Sequence, residues 1–468
     1  MTLADYFIIT QWFFTFYFFA MNLGYFGLNL IALVNIKKHM DIHSVSNIPG
    51  VYTDLEPPIT LLVPAYNEEV TIVNSVRALL NLSYPHIDII IVNDGSTDMT
   101  LEKLQQEFNL RMIPQVYNTR LTTQSVKRIF ISQDYPNIRV IDKENGGKSD
   151  ALNAGINAAL TPLYCAVDAD SILQTDSLDR ILQPFIEDPH TVAVGGSVRV
   201  ANGCEVNKGF VTKTGLPKNY LALFQVTEYL RAFLFGRLGW SPINGLLIVS
   251  GAFGMFHRET VVSVGGYKPD TIGEDMELIV RMHRKLRNQK KPYRITFVPD
   301  PICWTETPED FSTLKKQRIR WQIGLAESLL SNLSLLFNRN SGVAGWLAMP
   351  YMLFFELVGP IIEFVGIVTV IVGFYFGYIS YDIALLFFAV AVGFGILLSL
   401  VAVLLEEISF HLYSNPLYIF KLTACAVLEN FGYRQLNSWW RMLAMVQLAL
   451  NKKTSWGKMK RKGNRPVN

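Results

Sequence analysis

Ile87–Ser96 runs Ile-Asp-Ile-Ile-Ile-Val-Asn-Asp-Gly-Ser. Branched apolar residues fill it almost without interruption, then it stops on two polar residues and a glycine. A run this short, closed by a turn former, predicts a strand buried on both faces, the pattern of a parallel sheet. Similar runs stand on either side: Thr60–Pro64 (TLLVP), Ile138–Ile141 (IRVI), Tyr164–Val167 (YCAV) and Val192–Val194 (VAV). Helical patterns lie between them, at Val70–Leu82 and Ser149–Leu160. This alternation predicts a mainly parallel α/β sheet. Leu101–Pro136 is polar and weakly periodic, and predicts a helix plus an insertion.

Open α/β sheets bind ligands at the carboxyl ends of their strands, so the residues just after each run carry the interest. They are Pro64-Ala65-Tyr66-Asn67-Glu68-Glu69, Asn93-Asp94-Gly95-Ser96 and Asp168-Ala169-Asp170, with Gly273-Glu274-Asp275 further on. Each carboxylate alone is explained as a turn former or helix cap. Four acidic groups at the ends of one sheet point to a site. An Asp-x-Asp triplet suits magnesium or manganese, which take oxygen ligands and share one or two carboxylates with substrate phosphates. In an extended chain Asp168 and Asp170 project to the same side.

Asn145-Gly146-Gly147-Lys148-Ser149 resembles a phosphate-binding P-loop but fails its test, since the first glycine of that pattern would fall on Asp142. Its glycines and Lys148 still suit anion contact at a helix start; a glycine-rich turn with a solvated lysine is the plainer reading. Gln317-Arg318-Ile319-Arg320-Trp321 lies in a helical stretch, roughly 311–337. Gln317, Arg320 and Trp321 share one face there. Arginine can meet a diphosphate bidentately, and an indole can stack on a sugar; an interfacial helix would also place Trp and Arg together.

The chain has 468 residues, 50% hydrophobic and only 17% charged, and its net charge of +3 gives no footprint for nucleic acid. Mean hydropathy is +0.24, which predicts a membrane protein with a soluble part. Tyr6–Ile36 holds no charge and is long enough to cross a bilayer. Lys37 and Lys38 follow it, which predicts an outside N-terminus and a cytosolic continuation. Phe364–Tyr381 and Ile383–Leu405 read as a second and third span in a hairpin, with a basic cytosolic tail after Asn451. Asn340–Phe355 and Asn415–Tyr433 are ambiguous; both crossing would make five spans. Glu356 and Glu363 should face protein or water. Four scattered cysteines without a CxxC pair give no disulfide framework or zinc site. The expected division is 1–36 transmembrane helix, 37–57 linker, 58–340 catalytic domain, 341–450 membrane region and 451–468 tail.

The ordered set VPAYNEE, VNDGSTD, GGKSDALN, DADS, SGAFGMF, GED and QRIRW, between membrane spans, resembles the processive family-2 glycosyltransferases: membrane synthases of the cellulose, chitin, hyaluronan and poly-N-acetylglucosamine type. The resemblance covers roughly residues 55–340. It implies a glycosyltransferase-A fold (a Rossmann-like α/β sheet), a UDP-sugar donor, a divalent metal (Mg2+ or Mn2+), a growing β-linked polysaccharide as acceptor, and a multi-pass protein of the bacterial inner membrane with its catalytic domain in the cytosol. It leaves room for a small accessory membrane subunit.

Carried over by motif, donor contacts fall on Pro64, Tyr66, Glu68, Asp94, Lys148, Asp168, Gln317 and Arg318. Asp170, with Asp168, would hold the metal. Asp275 would be the general base, with Glu274 and Arg320 beside it in catalysis. Trp321, Gly251, Ala252 and Phe253 would meet the acceptor. Many relatives carry threonine where Gly273 stands. The reaction implied is inverting, with UDP-N-acetylglucosamine favoured as donor and export coupled to synthesis. Single-sugar transfer to a lipid, or a non-catalytic export scaffold, are the competing readings.

Overall fold

The computed structural model describes residues 3–46, 56–114, 117 and 119–450. The strands expected from the apolar runs form as β1 (Ile59–Ala65), β2 (Ile87–Asp94), β5 (Ile138–Lys143), β6 (Leu163–Val167) and β8 (Thr191–Val200). The stretch 101–136, expected as helix plus insertion, instead adds β3 (Leu110–Ile113) and β4 (Val126–Ser132) after a short helix, Thr100–Glu107. β3 is the edge strand, β4 lies next to it, and both are half-exposed, so no apolar run announces them. β7 (Ile172–Leu173), β11 (Phe253–His257) and β12 (Arg294–Thr305) complete a ten-stranded sheet, ordered β3-β4-β5-β2-β1-β6-β11-β8-β12-β7. β9 (Glu205–Asn207) and β10 (Phe210–Lys213) form a separate hairpin.

β1, β2, β5 and β6 are mutually parallel, and β12 runs parallel to β8; β11 lies antiparallel between β6 and β8. From β1 the chain winds outward through β2 to β5, then returns to lay β6 on the other side of β1. The β1/β6 boundary is therefore the topological switch point, where a crevice opens beyond the carboxyl ends. The β1–β6 ladder ends at Leu62–Ala166. Pro64, lacking an N–H, stands just past that end, where no ladder bond to β6 is lost.

The Lys148–Ala158 helix is buried along nearly its whole length, which its small residues permit. A Cβ at Gly155 would stand 2.9 Å from a Leu62 methyl of β1. Its buried amides are paired: Asn153 exchanges two bonds of 2.8 Å with the Tyr267 backbone, and Asn157 bonds the Leu121 backbone. The GGKSDALN stretch is thus a packing element as much as a loop.

Among the described residues two helices are long and apolar enough to cross a membrane, Asp5–Lys37 and Tyr381–Ser409; a third span results if the pair Ala344–Leu357 and Gly359–Tyr375, bent by 45°, counts as one. Pro416–Leu428 is apolar but short. Glu356 takes hydrogen bonds from Tyr25 and Arg441, and Glu363 one of 2.7 Å from Ser438. Both carboxylates face protein partners, as the cost of a lone charge in hydrocarbon requires. The basic tail 451–468 lies outside the described residues.

Candidate active site

Asp94 ends β2 and is 3% exposed. Its Oδ1 accepts from Gly146 N–H (3.0 Å) and from the Lys143 ammonium (2.7 Å), and its Oδ2 accepts from Gly147 N–H (2.8 Å). The glycine loop therefore does hold an anion at a helix start, but that anion is the chain's own carboxylate. A carboxylate has about four lone-pair sites, and these three bonds fill most of them. Lys143 is fully buried and also pairs with Asp150 at 2.5 Å. Sequence reasoning missed both residues. The only signal was a lysine and two aspartates embedded in a buried strand and helix.

Beside this floor, the loop after β1 is stitched to the loop after β2. Asn67, at φ 57°, donates its N–H to Ser96 and accepts from Thr97 N–H; Glu68 N–H bonds Thr100. Tyr66 is left half-exposed at the rim, and the Glu68 carboxylate accepts from Thr71 at 2.8 Å.

Across the switch point, Asp168-Ala169-Asp170 is a turn, not the extended chain expected: Ser171 N–H closes onto the Asp168 carbonyl at 3.0 Å. Ala169 is buried, and the aspartates to either side are half-buried. Among the described residues there is no group of three or more His, Cys, Asp or Glu placed as a metal cage. Two carboxylates on one tight turn fit a magnesium or manganese ion that completes its shell with phosphate oxygens and water.

The centre of the site is Lys148. Its ammonium lies 2.6 Å from Asp168, 3.4 Å from Glu274 and 3.2 Å from the Gly251 carbonyl. Burial alone would depress its pKa, but Asp168 and Glu274 outweigh that and hold it above the ordinary lysine range. Burial pushes the Glu274 carboxyl up; Lys148 opposes this and Asp275 adds to it. Asp275 accepts from Gly251 N–H at 3.2 Å. β11 supplies this last contact: its antiparallel pairing to β6 sets Ala252 against Asp168, whose N–H bonds the Ala252 carbonyl at 3.3 Å. Phe253 is fully buried beneath them. The structure thus brings Lys148, Asp168, Gly251, Glu274 and Asp275 into one constellation.

The Phe311–Leu330 helix carries the QRIRW motif past this constellation. Gly273 and Gly324 meet backbone to backbone: a Cβ on Gly324 would stand 2.8 Å from Gly273 Cα. This explains why glycine, rather than threonine, precedes Glu274 here. A Gly324→Ala variant is expected to lose about 1–3 kcal/mol of stability by overpacking and to push the motif away from the start of the Glu274–Asn288 helix, which carries Asp275. Thermal unfolding and transfer rate check this; a variant matching the parent in both would show that the contact is slack.

Gln317 is buried with its Oε1 lacking a hydrogen-bond partner among the described residues, Arg320 is half-buried, and Trp321 is 43% exposed. Arg318, expected at the donor, is committed elsewhere. It is 4% exposed, ion-paired to Glu228 at 2.7 Å, and lies 4.5 Å from the centre of the Trp321 ring. Its position one residue from Gln317 turns it toward the Tyr220–Leu230 helix, a partner that local sequence could not name.

A family model described as glycosyltransferase like family 2 matches residues 57–324, more than half of the chain, and one described as chitin synthase matches residues 267–440. The chain is similar to proteins named poly-beta-1,6-N-acetyl-D-glucosamine synthase. That of Staphylococcus aureus (strain COL) is 31% identical over 62% of this chain and 59% of its own length. That of Staphylococcus epidermidis (strain RP62A) is 28% identical over 58% of this chain and 55% of its own. The chain therefore matches less than two thirds of the length of these curated relatives. Among solved structures, a mannosyltransferase from Pyrobaculum calidifontis in complex with GDP-Man and Mn2+ shares the fold, with a TM-score of 0.51 at 16% identity over 90% of this chain and 99% of that one. The fold is glycosyltransferase-A.

Proposed function

The chain belongs to glycosyltransferase family 2, and on that premise we propose that it transfers a sugar from a UDP-sugar, UDP-N-acetylglucosamine in the first place, to a growing β-linked polysaccharide. The observation that carries this reading is the Lys148 constellation, which gathers Asp168, Glu274 and the Gly251–Asp275 contact at the switch point of the sheet. The relatives named as poly-N-acetylglucosamine synthases support the choice of sugar and polymer.

In this reading Asp94 meets the nucleotide base, with Tyr66 at the rim beside it. Asp168 and Asp170 would hold the metal, as the mannosyltransferase named above binds Mn2+, and when bound it neutralises charge on the donor diphosphate. Lys148 and Arg320 add positive charge toward the diphosphate in this reading. Asp275, oriented by the Gly251 N–H, takes the proton of the acceptor hydroxyl as that oxygen attacks the anomeric carbon opposite the departing UDP. One attack from the opposite face inverts the centre, so an α-linked donor gives a β-linked product. Trp321 receives the acceptor, and Gln317 stands on the donor side of it. Glu274 stays paired with Lys148 and holds that ammonium in place.

Residues 58–340 form the catalytic domain in this proposal, facing the cytosol, and the membrane helices lead the polymer outward. Glu356, Arg441 and Gln322, linked by hydrogen bonds, place polar groups among these helices. The test is UDP release by the purified chain in detergent against a panel of UDP-sugars, with Mg2+ or Mn2+ and an EDTA control, followed by sizing of the product. Metal-dependent release with one donor and a polymeric product is expected. A single sugar on a lipid would replace the polymer reading, and silence from folded protein across the panel would remove the proposal.

A further inference from the structure

We infer that Glu228 is a positioning residue for the acceptor: its carboxylate fixes the Arg318 guanidinium that supports the Trp321 indole, so acceptor binding depends on Glu228 while donor binding does not. The inference rests on the reading of Trp321 as an acceptor contact.

Glu228 Oε2 is the meeting point of two other elements. It accepts from Arg318 on the motif helix at 2.7 Å and from the Tyr433 hydroxyl on the Tyr433–Ala449 helix at 2.9 Å. Arg318 in turn lies 4.5 Å from the centre of the Trp321 ring, one helical turn on. Glu228 is itself a fixed point. Its neighbours Thr227 and Arg231 bond the buried carboxylate of Glu429, Thr227 at 2.8 Å. Phe224 and Tyr433 pack ring against ring at 5.1 Å. Leu221, Leu314, Ile319 and Ile323 join Tyr433 in a separate apolar cluster around the junction.

Trp321 itself is 43% exposed, so the apolar cluster alone does not fix its ring. The guanidinium is the cationic face against which the indole is set, and Glu228 decides where that guanidinium stands. The Asp94, Lys143 and Lys148 contacts that build the donor side involve none of these residues. This separation makes the inference testable.

The experiment is calorimetric titration of the full chain in detergent with UDP and, separately, with a short β-1,6-linked N-acetylglucosamine oligosaccharide. Glu228→Gln is expected to weaken oligosaccharide binding about tenfold and to leave UDP binding within about twofold. Tyr433→Phe, which removes one hydroxyl, is expected to weaken it about threefold. Trp321→Ala should lose at least as much as Glu228→Gln, and the double variant should be no weaker than Trp321→Ala alone, because both act through one indole. The inference is overturned if Trp321→Ala loses the oligosaccharide while Glu228→Gln and Tyr433→Phe keep it, or if the two losses multiply. Should Glu228→Gln fail to fold, Tyr433→Phe against Trp321→Ala decides by the same comparison. A Trp321→Ala variant that binds like the parent overturns the acceptor reading itself, and the inference with it.

Discussion

Asp275→Asn is expected to bind UDP as the parent does and to transfer sugar about 10²–10⁴-fold more slowly. The substitution keeps the shape of the side chain and one oxygen to accept the Gly251 N–H, which lies 3.2 Å from the carboxylate. It removes the basicity that takes the acceptor proton. Glu274 cannot stand in, because its carboxyl is buried and engaged with Lys148. The donor side, built on Asp94 and Asp168, touches Asp275 only indirectly, through Gly251 and Lys148, so UDP affinity is expected to hold. Calorimetry for UDP and a coupled UDP-release assay separate the two effects. Normal turnover would show that the base lies elsewhere; a parallel loss of UDP binding would show a structural role.

Lys148→Met should damage both stability and donor binding. The variant keeps the aliphatic stem and deletes the charge that Asp168, Glu274 and the Gly251 carbonyl share. Breaking a mostly buried pair leaves Glu274 without its cation, a cost of about 3–5 kcal/mol. The Glu274 carboxyl, already pushed up by burial, would then be protonated more readily. Adding Glu274→Gln removes the stranded charge and is expected to restore more than half of the lost stability without restoring donor affinity. Thermal unfolding of the two single variants and the double variant forms the cycle. A Lys148→Met protein as stable as the parent, with Glu274→Gln adding a further loss, would show that the ammonium is not what holds these groups.

Both predictions concern residues that sequence had already singled out, and their legibility has a physical basis. Buried parallel strands must be apolar throughout, so β1, β2, β5 and β6 stand out as short runs, and the polar residues after them lie at the carboxyl ends. Asp94, Asp168 and Asp170 were located that way. β3 and β4 were not, because half-exposed strands carry no continuous apolar signal. The Asp-x-Asp triplet is legible from composition, but its turn, closed by Ser171 N–H on the Asp168 carbonyl, leaves no local pattern.

Periodicity and run length are local properties of the chain, and they suffice for the class of fold, the order of the strand-end acids and the apolar helices flanking them. The partner of each charge emerges only when the chain is folded. Asp94 meets Lys143 across 49 residues, Lys148 meets Gly251 across 103, and Arg318 meets Glu228 across 90. Such partners are chosen by packing: a charge taken out of water must find an opposite charge or a donor wherever the fold has placed one. That requirement paired Arg318, expected at the donor, with Glu228, and gathered Asp168, Glu274 and the Gly251 carbonyl around Lys148.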